Sequence, residues 1–168
     1  MYIELVRYPD VFLRSVSNDV PFPLDDKTSR LIKFMAKAMY QNHGIGLAAI
    51  QVGYQLRMFV MDCSRSQSGY KVFINPEILE KSIETLRDNE GCLSAPGKTG
   101  DVKRHIRIIL KYQDENGKEE KKTFYNLEAR CIQHEMDHLE GKLCIDYEKG
   151  DYSRDKHKSQ TMVESDFR

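Results

Sequence analysis

The most informative stretch of this chain is His134-Glu135-Met136-Asp137-His138. On a helix, two histidines four residues apart project from the same face, about one turn from each other. Both imidazoles can then reach one metal ion, and Glu135 can hold or move a proton of bound water. Because the pattern HExxH also arises by chance in charged helices, its meaning depends on a third ligand and on a pocket for an electrophile.

Two helices are predicted, and the second one carries this motif. It runs from about Leu127 to Leu139 and is closed by Gly141, since glycine readily adopts the backbone conformation that ends a helix. An earlier helix is predicted over Asp25–His43, where Gly44 stands at the expected stop. Its apolar residues recur at helical spacing and are Leu31, Met35, Ala38 and Met39.

Four short segments have the patterns of strands. They are residues 57–61, 71–80, 106–112 and 121–125. Asn75-Pro76 is expected to break or bulge the second strand, since proline cannot donate to a ladder. The third alternates between apolar and other residues, and the turn residues 114–117 predict a hairpin with the fourth. We therefore expect an α+β fold with antiparallel β-sheets packed around a central helix that carries HExxH.

The composition limits the classes of function. The 168 residues suffice for one domain with a core, so residues 1–147 are expected to form a single catalytic domain, followed by a polar, flexible or weakly helical tail over 148–168. With 26 basic and 26 acidic residues, no net charge favours nucleic acid or anionic membranes. No apolar run reaches the ~20 residues that span a bilayer, and no leader pattern is present. A cytoplasmic monomer with free thiols is expected.

Two further segments stand out. Gly44 to Gln51 reads GIGLAAIQ, in which two glycines flank one apolar residue and let the backbone approach a ligand closely. Taken alone, this segment is equally a helix C-cap followed by a tight turn. Glu90 to Ser94 reads EGCLS, and its cysteine alone is most simply a small buried hydrophobe. Neither segment identifies a function by itself.

Together, the three segments resemble the peptide deformylase family in their order and spacing. The family patterns GxGLAAxQ, EGCLS and QHExDH are matched by 44–51, 90–94 and 133–138. Flanking matches extend the resemblance from about Tyr8 to Asp146, and they include Val102, Arg104, Ala129-Arg130 and Leu139-Glu140-Gly141. The resemblance implies the peptide deformylase fold and a metal-dependent amidohydrolase.

The resemblance implies that Cys92, His134 and His138 bind one divalent metal ion. Three protein ligands leave an open position, as in catalytic rather than structural sites. Ferrous iron is the first expectation, because family members use it natively. Zinc, nickel or cobalt are also accepted, and the ligand types alone do not choose among these ions.

The implied reaction removes the N-formyl group from the N-terminal formylmethionine of newly synthesised peptides and releases formate. Metal-bound water would attack the formyl carbon, with Glu135 as general base and then acid. The side-chain amide of Gln51 and the backbone N–H of Leu93 would form the oxyanion hole. The implied partners are N-formylmethionyl peptides and nascent chains at the ribosome.

The resemblance also implies which residues bind the substrate and which support the metal ligands. The substrate backbone would pair with Ile45, Gly46 and Gly91, and the methionine side chain would enter a pocket that involves Ile45, Leu127 and Cys131. Glu90 and Arg104 would form a supporting ion pair behind the metal. His43, His105 and His157 fall outside the motifs and are expected to be ordinary surface residues.

The chain departs from the family pattern at a few positions. Ile50 replaces the usual proline of GxGLAAPQ, which leaves the orientation of Gln51 less constrained. Asp88 is expected at the pocket rim, where an apolar residue is common, which weakens the expected preference for methionine. Asn126 and Glu128 replace a common Gly and Leu around Leu127, and the tail lacks an apolar-spaced helix.

Two alternatives remain open at this point. The chain could be a catalytically silent deformylase homologue that acts as a binding protein, although silent homologues usually lack the glutamate or the cysteine. It could also be another HExxH metallopeptidase, which would take its third ligand from a downstream glutamate or histidine.

Overall fold

The computed structural model describes residues 3–147, so the predicted polar tail over 148–168 lies outside the described residues. The helices are α1 (Asp26–Gln41) and α2 (Asn126–Leu139), and three 3-10 turns cover Val11–Arg14, Ala49–Val52 and Cys144–Asp146. The strands are β1 (Gly46–Ala48), β2 (Met58–Met61), β3 (Lys71–Lys81), β4 (Thr85–Gly91), β5 (Thr99–His105), β6 (Arg107–Gln113) and β7 (Glu119–Tyr125). Within the described part of the chain, no helix has the length and apolar character needed to cross a membrane.

The strands form two antiparallel sheets. Five strands pair in the order β1-β2-β3-β6-β7, and β4 pairs with β5 in a separate two-stranded sheet. The expected irregularity in β3 is present, because the register with β6 shifts between Ile74 and Glu77. The α+β fold and the β6–β7 hairpin are therefore confirmed.

The larger sheet lies between the two helices, and β2 shows this most clearly. Met58 and Val60 pack with α1, whereas Phe59 and Met61 pack with α2, and all four side chains are buried. Because successive side chains of a strand point to opposite faces, a strand covered on both faces is apolar throughout. This arrangement explains the uninterrupted apolar run that predicted the strand.

The first helix ends two residues earlier than the sequence predicts. Asp25 caps its start by accepting a hydrogen bond from the Thr28 N–H at 2.7 Å. Its end at Gln41 is followed by His43 in the left-handed conformation (φ +57°), so His43 rather than Gly44 makes the turn. Gly44 serves close packing instead, because a Cβ there would lie 2.5 Å from Leu93 Cδ1.

The second helix matches the prediction closely. It begins at Asn126, one residue before the expected start, and Gly141 follows its end with φ +74°. The side chain of Gln133 attaches this helix to β5, since it accepts from the His105 N–H at 3.0 Å and donates to the His105 carbonyl at 2.8 Å. The helix that carries HExxH is therefore fixed to both sheets.

Candidate metal centre and substrate cleft

Three potential metal ligands meet where the end of β4 approaches α2. Cys92, His134 and His138 are all buried, and one ligand atom from each lies within 4.8 Å of the others. The Cys92 Sγ lies 3.4 Å from the His138 Nε2. Helical spacing brings the two histidines together on α2. The cysteine comes from a distant segment, directly after β4 of the small sheet. A thiolate and two imidazoles at this separation fit a first-row divalent ion.

The orientation of His134 is set by Glu90. The Nδ1 of His134 lies 2.9 Å from the Glu90 Oε1, which leaves Nε2 for a metal. Although burial alone raises the pKa of Glu90, hydrogen bonds from Arg104 and His134 hold that pKa well below its usual range. Arg104 donates to both oxygens of this carboxylate at 2.9 Å, so Glu90 stays ionised in a buried position.

The pKa values of the two histidines are shifted in opposite directions. Burial lowers the pKa of His134, but hydrogen bonds with Cys92 and Glu90 outweigh it and raise that pKa above its usual value. Burial and the neighbouring His134 lower the pKa of His138. A bound cation would displace the proton from His134, since both imidazoles bind metal in the neutral form.

Glu135 is buried beside the ligands and has unusual surroundings. It is 3% exposed, and burial raises its pKa to about 7. Within residues 3–147, no hydrogen-bond partner lies within reach of its Oε2. Its Oε1 lies against Gly46, where no side chain fits. A carboxyl group with a pKa near 7 can both accept and donate a proton at neutral pH.

Gln51 presents its amide group to the same place. Its Nε2 donates to the Ser94 Oγ at 3.1 Å and lies 3.7 Å from the Cys92 Sγ, while its Oε1 accepts from the Ala48 N–H at 2.9 Å. The Ala48 contact fixes which end of the amide faces the cysteine. Ile50, the departure from the family pattern, is fully buried in the core. Packing therefore supplies the constraint that a proline would have provided.

The third potential ligand is a cysteine upstream of the helix, in the arrangement the resemblance implied. The family model for polypeptide deformylase matches residues 2–153. This chain belongs to the peptide deformylase family. By its family the chain is a peptide deformylase, which is a hydrolase. The structure has a possible metal site at Cys92, His134 and His138.

Similar proteins cover most of the chain. It is 44% identical to the peptide deformylase of Bartonella henselae over 145 residues, which are 85% of this chain and 82% of that protein. It is 45% identical to peptide deformylase 1 of Clostridium perfringens over 88% of this chain and 99% of that protein. The crystal structure of the Thermotoga maritima peptide deformylase superposes with a TM-score of 0.82 at 39% identity, covering 88% of this chain and 97% of that one.

The structure contains a cleft of about 640 Å³, whose lining residues do not include Cys92, His134 or His138. Ile45 and Leu127 line it, as expected for the walls of a side-chain pocket. Cys131 instead lies behind the wall, fully buried, with its Sγ 3.8 Å from the Ile45 carbonyl oxygen. Asp88 also lines the cleft, but it is 2% exposed and so belongs to the buried wall rather than to an open rim.

Several residues with roles at this site were not singled out from the sequence. Asp137 accepts hydrogen bonds from Arg104 at 2.7 Å and from the Tyr147 hydroxyl at 2.6 Å. Arg130 donates to Glu90 at 2.6 Å. His105, expected as an ordinary surface residue, is half-buried with its Nδ1 2.6 Å from the Ser82 carbonyl oxygen. The signal was present for Asp137 and Arg130, since both belong to segments that match the family.

Proposed function

We propose that this chain removes the formyl group from N-formylmethionyl peptides by metal-dependent hydrolysis and releases formate. One observation carries the proposal: Cys92, His134 and His138 converge within 4.8 Å, next to a buried carboxyl group and a fixed amide. A divalent ion held by these three residues, ferrous iron in the first place, would supply Lewis acidity that polarises a carbonyl and acidifies a water.

Glu135 is proposed to move the proton. It would accept a proton from the attacking water and later donate it to the leaving amine. Its buried position and its pKa of about 7 support both roles at neutral pH. The contact with Gly46 supports a fixed position for its Oε1, so that its Oε2 faces the reacting atoms.

The negative charge that develops on the formyl oxygen is proposed to be stabilised by two donors. These are the Nε2 of Gln51 and the backbone N–H of Leu93, which adjoins Cys92 in the chain. The hydrogen bond from Ala48 to the Gln51 Oε1 supports this assignment, because it turns the Nε2 toward the cysteine. Removing one such donor typically costs about 10²–10³ in turnover.

The substrate backbone is proposed to lie between the two sheets. Gly46 begins β1, at the edge of the larger sheet, and Gly91 ends β4 in the smaller sheet. An extended peptide can pair with Ile45, Gly46 and Gly91 by adding a strand there. The methionine side chain would then enter the cleft beside Ile45 and Leu127, with Cys131 behind the wall.

The remaining parts of the proposal concern the cell. A monomeric, cytoplasmic enzyme that acts on nascent chains at the ribosome is consistent with the substrate class, since formylmethionine is found at the start of new chains. Residues 1–147 would form the single catalytic domain. These statements follow from the proposed substrate.

Formate release tests the proposal directly. Anaerobically purified protein loaded with Fe²⁺ should release formate from a formyl-Met-Ala-Ser peptide and should not release acetate from the matched acetyl peptide. Cys92→Ala should lose metal binding, whereas Glu135→Ala should keep the metal and lose turnover by several orders of magnitude, because only the proton carrier is removed.

The outcomes distinguish the alternatives. No formate above a metal-free control would overturn the proposal and favour a silent homologue that binds peptides. Full metal binding by Cys92→Ala would mean that another residue completes the site, as in other HExxH metallopeptidases.

A further inference from the structure

Arg130 occupies an unusual position on the helix of the metal ligands. It precedes His134 by four residues and therefore projects from the same face of α2. The side chain is 3% exposed and belongs to the wall of the cleft. A buried guanidinium group is costly unless each part of it is paired. The partners of Arg130 therefore indicate what it does.

Arg130 joins three backbone and side-chain groups of the small sheet. Its Nη1 donates to the Glu90 Oε2 at 2.6 Å and to the Val102 carbonyl at 3.0 Å. Its Nη2 donates to the Leu86 carbonyl. One of these partners, Glu90, also contacts His134.

The Glu90 carboxylate is held from three directions. Its Oε1 receives Arg104 and faces the Nδ1 of His134, each at 2.9 Å. Its Oε2 receives Arg104 at 2.9 Å and Arg130 at 2.6 Å. Both bonds from Arg104 to Glu90 come from one planar fork and so approach the carboxylate from a single direction. The bond from Arg130 comes from another element, α2, and holds the carboxylate from a second direction.

Charge balance requires the second arginine as well. The network contains the buried Glu90, the partly exposed Asp137, and the two buried guanidinium groups of Arg104 and Arg130. Removing Arg130 would leave one buried carboxylate undercompensated, which favours rearrangement of the side chains that remain.

We propose that Arg130 is a positioning residue for the metal site, which fixes the Glu90 carboxylate and thereby the orientation of the His134 imidazole. The inference rests on the proposed metal-dependent function, but it concerns the affinity of the site rather than turnover. Partners that orient a ligating histidine typically change metal affinity by about 10–100-fold when they are removed.

The test is the affinity of the folded apoprotein for Co²⁺, measured by competition with a chelating dye. Arg130→Met should raise the Kd by about 10–100-fold and change the visible absorption spectrum of the bound Co²⁺, because the His134 ligand is no longer fixed. Arg87→Met is the matched control. Arg87 lies on the same small sheet, and its Nη1 is 3.4 Å from the Asp101 Oδ2. The Kd of this variant for Co²⁺ should stay within about twofold of the Kd of the parent.

A double variant distinguishes two roles of Arg130: positioning the Glu90 carboxylate, and joining β4 and β5 through the Leu86 and Val102 carbonyls. Arg130→Met should have little further effect in a Glu90→Gln background, because the two residues act through one contact. A purely structural role predicts independent effects, with a lower melting temperature and an unchanged Kd. An unchanged Kd and Co²⁺ spectrum in Arg130→Met would overturn the proposal.

Arg130→Lys is a more conservative variant that keeps the positive charge. It tests the same proposal if Arg130→Met does not fold. A lysine has no planar fork to reach Glu90 and both carbonyls together, so its Kd should rise to an intermediate value. If neither variant reaches the far-ultraviolet spectrum of the parent, Arg130 serves folding and the proposal is overturned. If the parent releases formate and Arg130→Met has an unchanged Kd for Co²⁺, only the inference about Arg130 is contradicted. If the parent releases no formate but Arg130→Met has a raised Kd, only the proposed function is contradicted.

Discussion

Gly46 lies so close to Glu135 that even a methyl group does not fit. A Cβ at this position would overlap the Glu135 Oε1 and lie 2.8 Å from the Cys131 Sγ. Since the carboxyl end of Glu135 can move more easily than the backbone, Gly46→Ala should displace the catalytic group rather than unfold the protein. A displacement of about 1 Å at a reacting group can cost about 10²-fold in rate. We expect kcat for formate release to fall by about that factor.

Gly97→Ala provides the contrast to Gly46→Ala. A Cβ at Gly97 would meet nothing within 4 Å, but its φ of +75° strains any other residue. This variant should lower the melting temperature by a few degrees and leave kcat unchanged. A Gly46→Ala variant with the kcat of the parent would show that the Glu135 carboxyl group tolerates the shift.

At the residue scale, the sequence did not predict how deeply two of the expected pocket residues are buried. Cys131 and Asp88 were expected at the wall and at the rim of the pocket. Both are almost completely buried, because α2 and β4 pack closely around them. Which residues lie near a pocket follows from motif positions, but the burial of each side chain depends on neighbours that come from distant segments.

The element that connects β2 to β3 folds around one carboxylate. Asp62 accepts hydrogen bonds from the Tyr40 hydroxyl at 2.6 Å and from the backbone N–H groups of Ser64 and Gly69 at 2.9 Å and 3.3 Å. Burial raises the pKa of Asp62, but the hydrogen bonds from Ser64 and Tyr40 outweigh it, and the pKa lies below its usual value of 3.8. The folded state therefore favours the ionised form.

This shift predicts a pH-dependent loss of stability in Asp62→Asn. A carboxyl group whose pKa is lowered by folding stabilises the protein above its unfolded pKa, and this contribution is lost as the pH falls through the folded value. At pH 7 the variant should lose about 2 kcal/mol of unfolding free energy, since it loses hydrogen bonds to a charged acceptor. The difference from the parent should shrink below about pH 4.

Urea unfolding at pH 7 and pH 3.5 measures this difference. Asp19→Asn, at an exposed position, is the control and should change the unfolding free energy by less than about 0.5 kcal/mol at both values. An Asp62→Asn deficit that stays constant over this range would show that the carboxylate charge is not what holds the loop.

The small sheet is the element that the sequence did not predict. The inward positions of β4 and β5 include Asp88, Glu90 and Arg104, which are charged and yet almost completely buried. Strand prediction relies on apolar residues at every second position, so a sheet that turns its ion pairs inward escapes it. The resemblance implied the ion pair of Glu90 and Arg104, but the further partners of this charged interior on α2, Arg130 and Asp137, became evident only in the structure.

At the scale of the whole molecule, the three potential metal ligands come from two different parts of the fold. Cys92 follows β4 of the small sheet, whereas His134 and His138 lie on α2, which packs against the large sheet. A ligand that binds only the assembled site stabilises the folded state by mass action. The metal should therefore contribute to stability as well as to chemistry.

Thermal unfolding with and without metal tests this coupling. At a concentration of about 1,000 times its Kd, Co²⁺ should add about 4 kcal/mol to the unfolding free energy. For a domain of this size, that corresponds to an increase of about 8–16 °C in the melting temperature. Cys92→Ala should show a much smaller increase, because one of the three ligands is missing. An equal increase in that variant would mean that Co²⁺ binds elsewhere.

The sequence by itself determined the helix that carries HExxH, the apolar strand β2, the hairpin of β6 and β7, and the family. These features depend on local periodicity, on turn residues and on short motifs whose residues are close in the chain. Only the tertiary structure decided how Cys92 meets the histidines, how Arg104 and Arg130 share the Glu90 carboxylate, and why Gly46 must lack a side chain. Each of these depends on contacts between different elements, which for Glu90 and Arg130 are 40 residues apart in the chain, and no local pattern records such contacts.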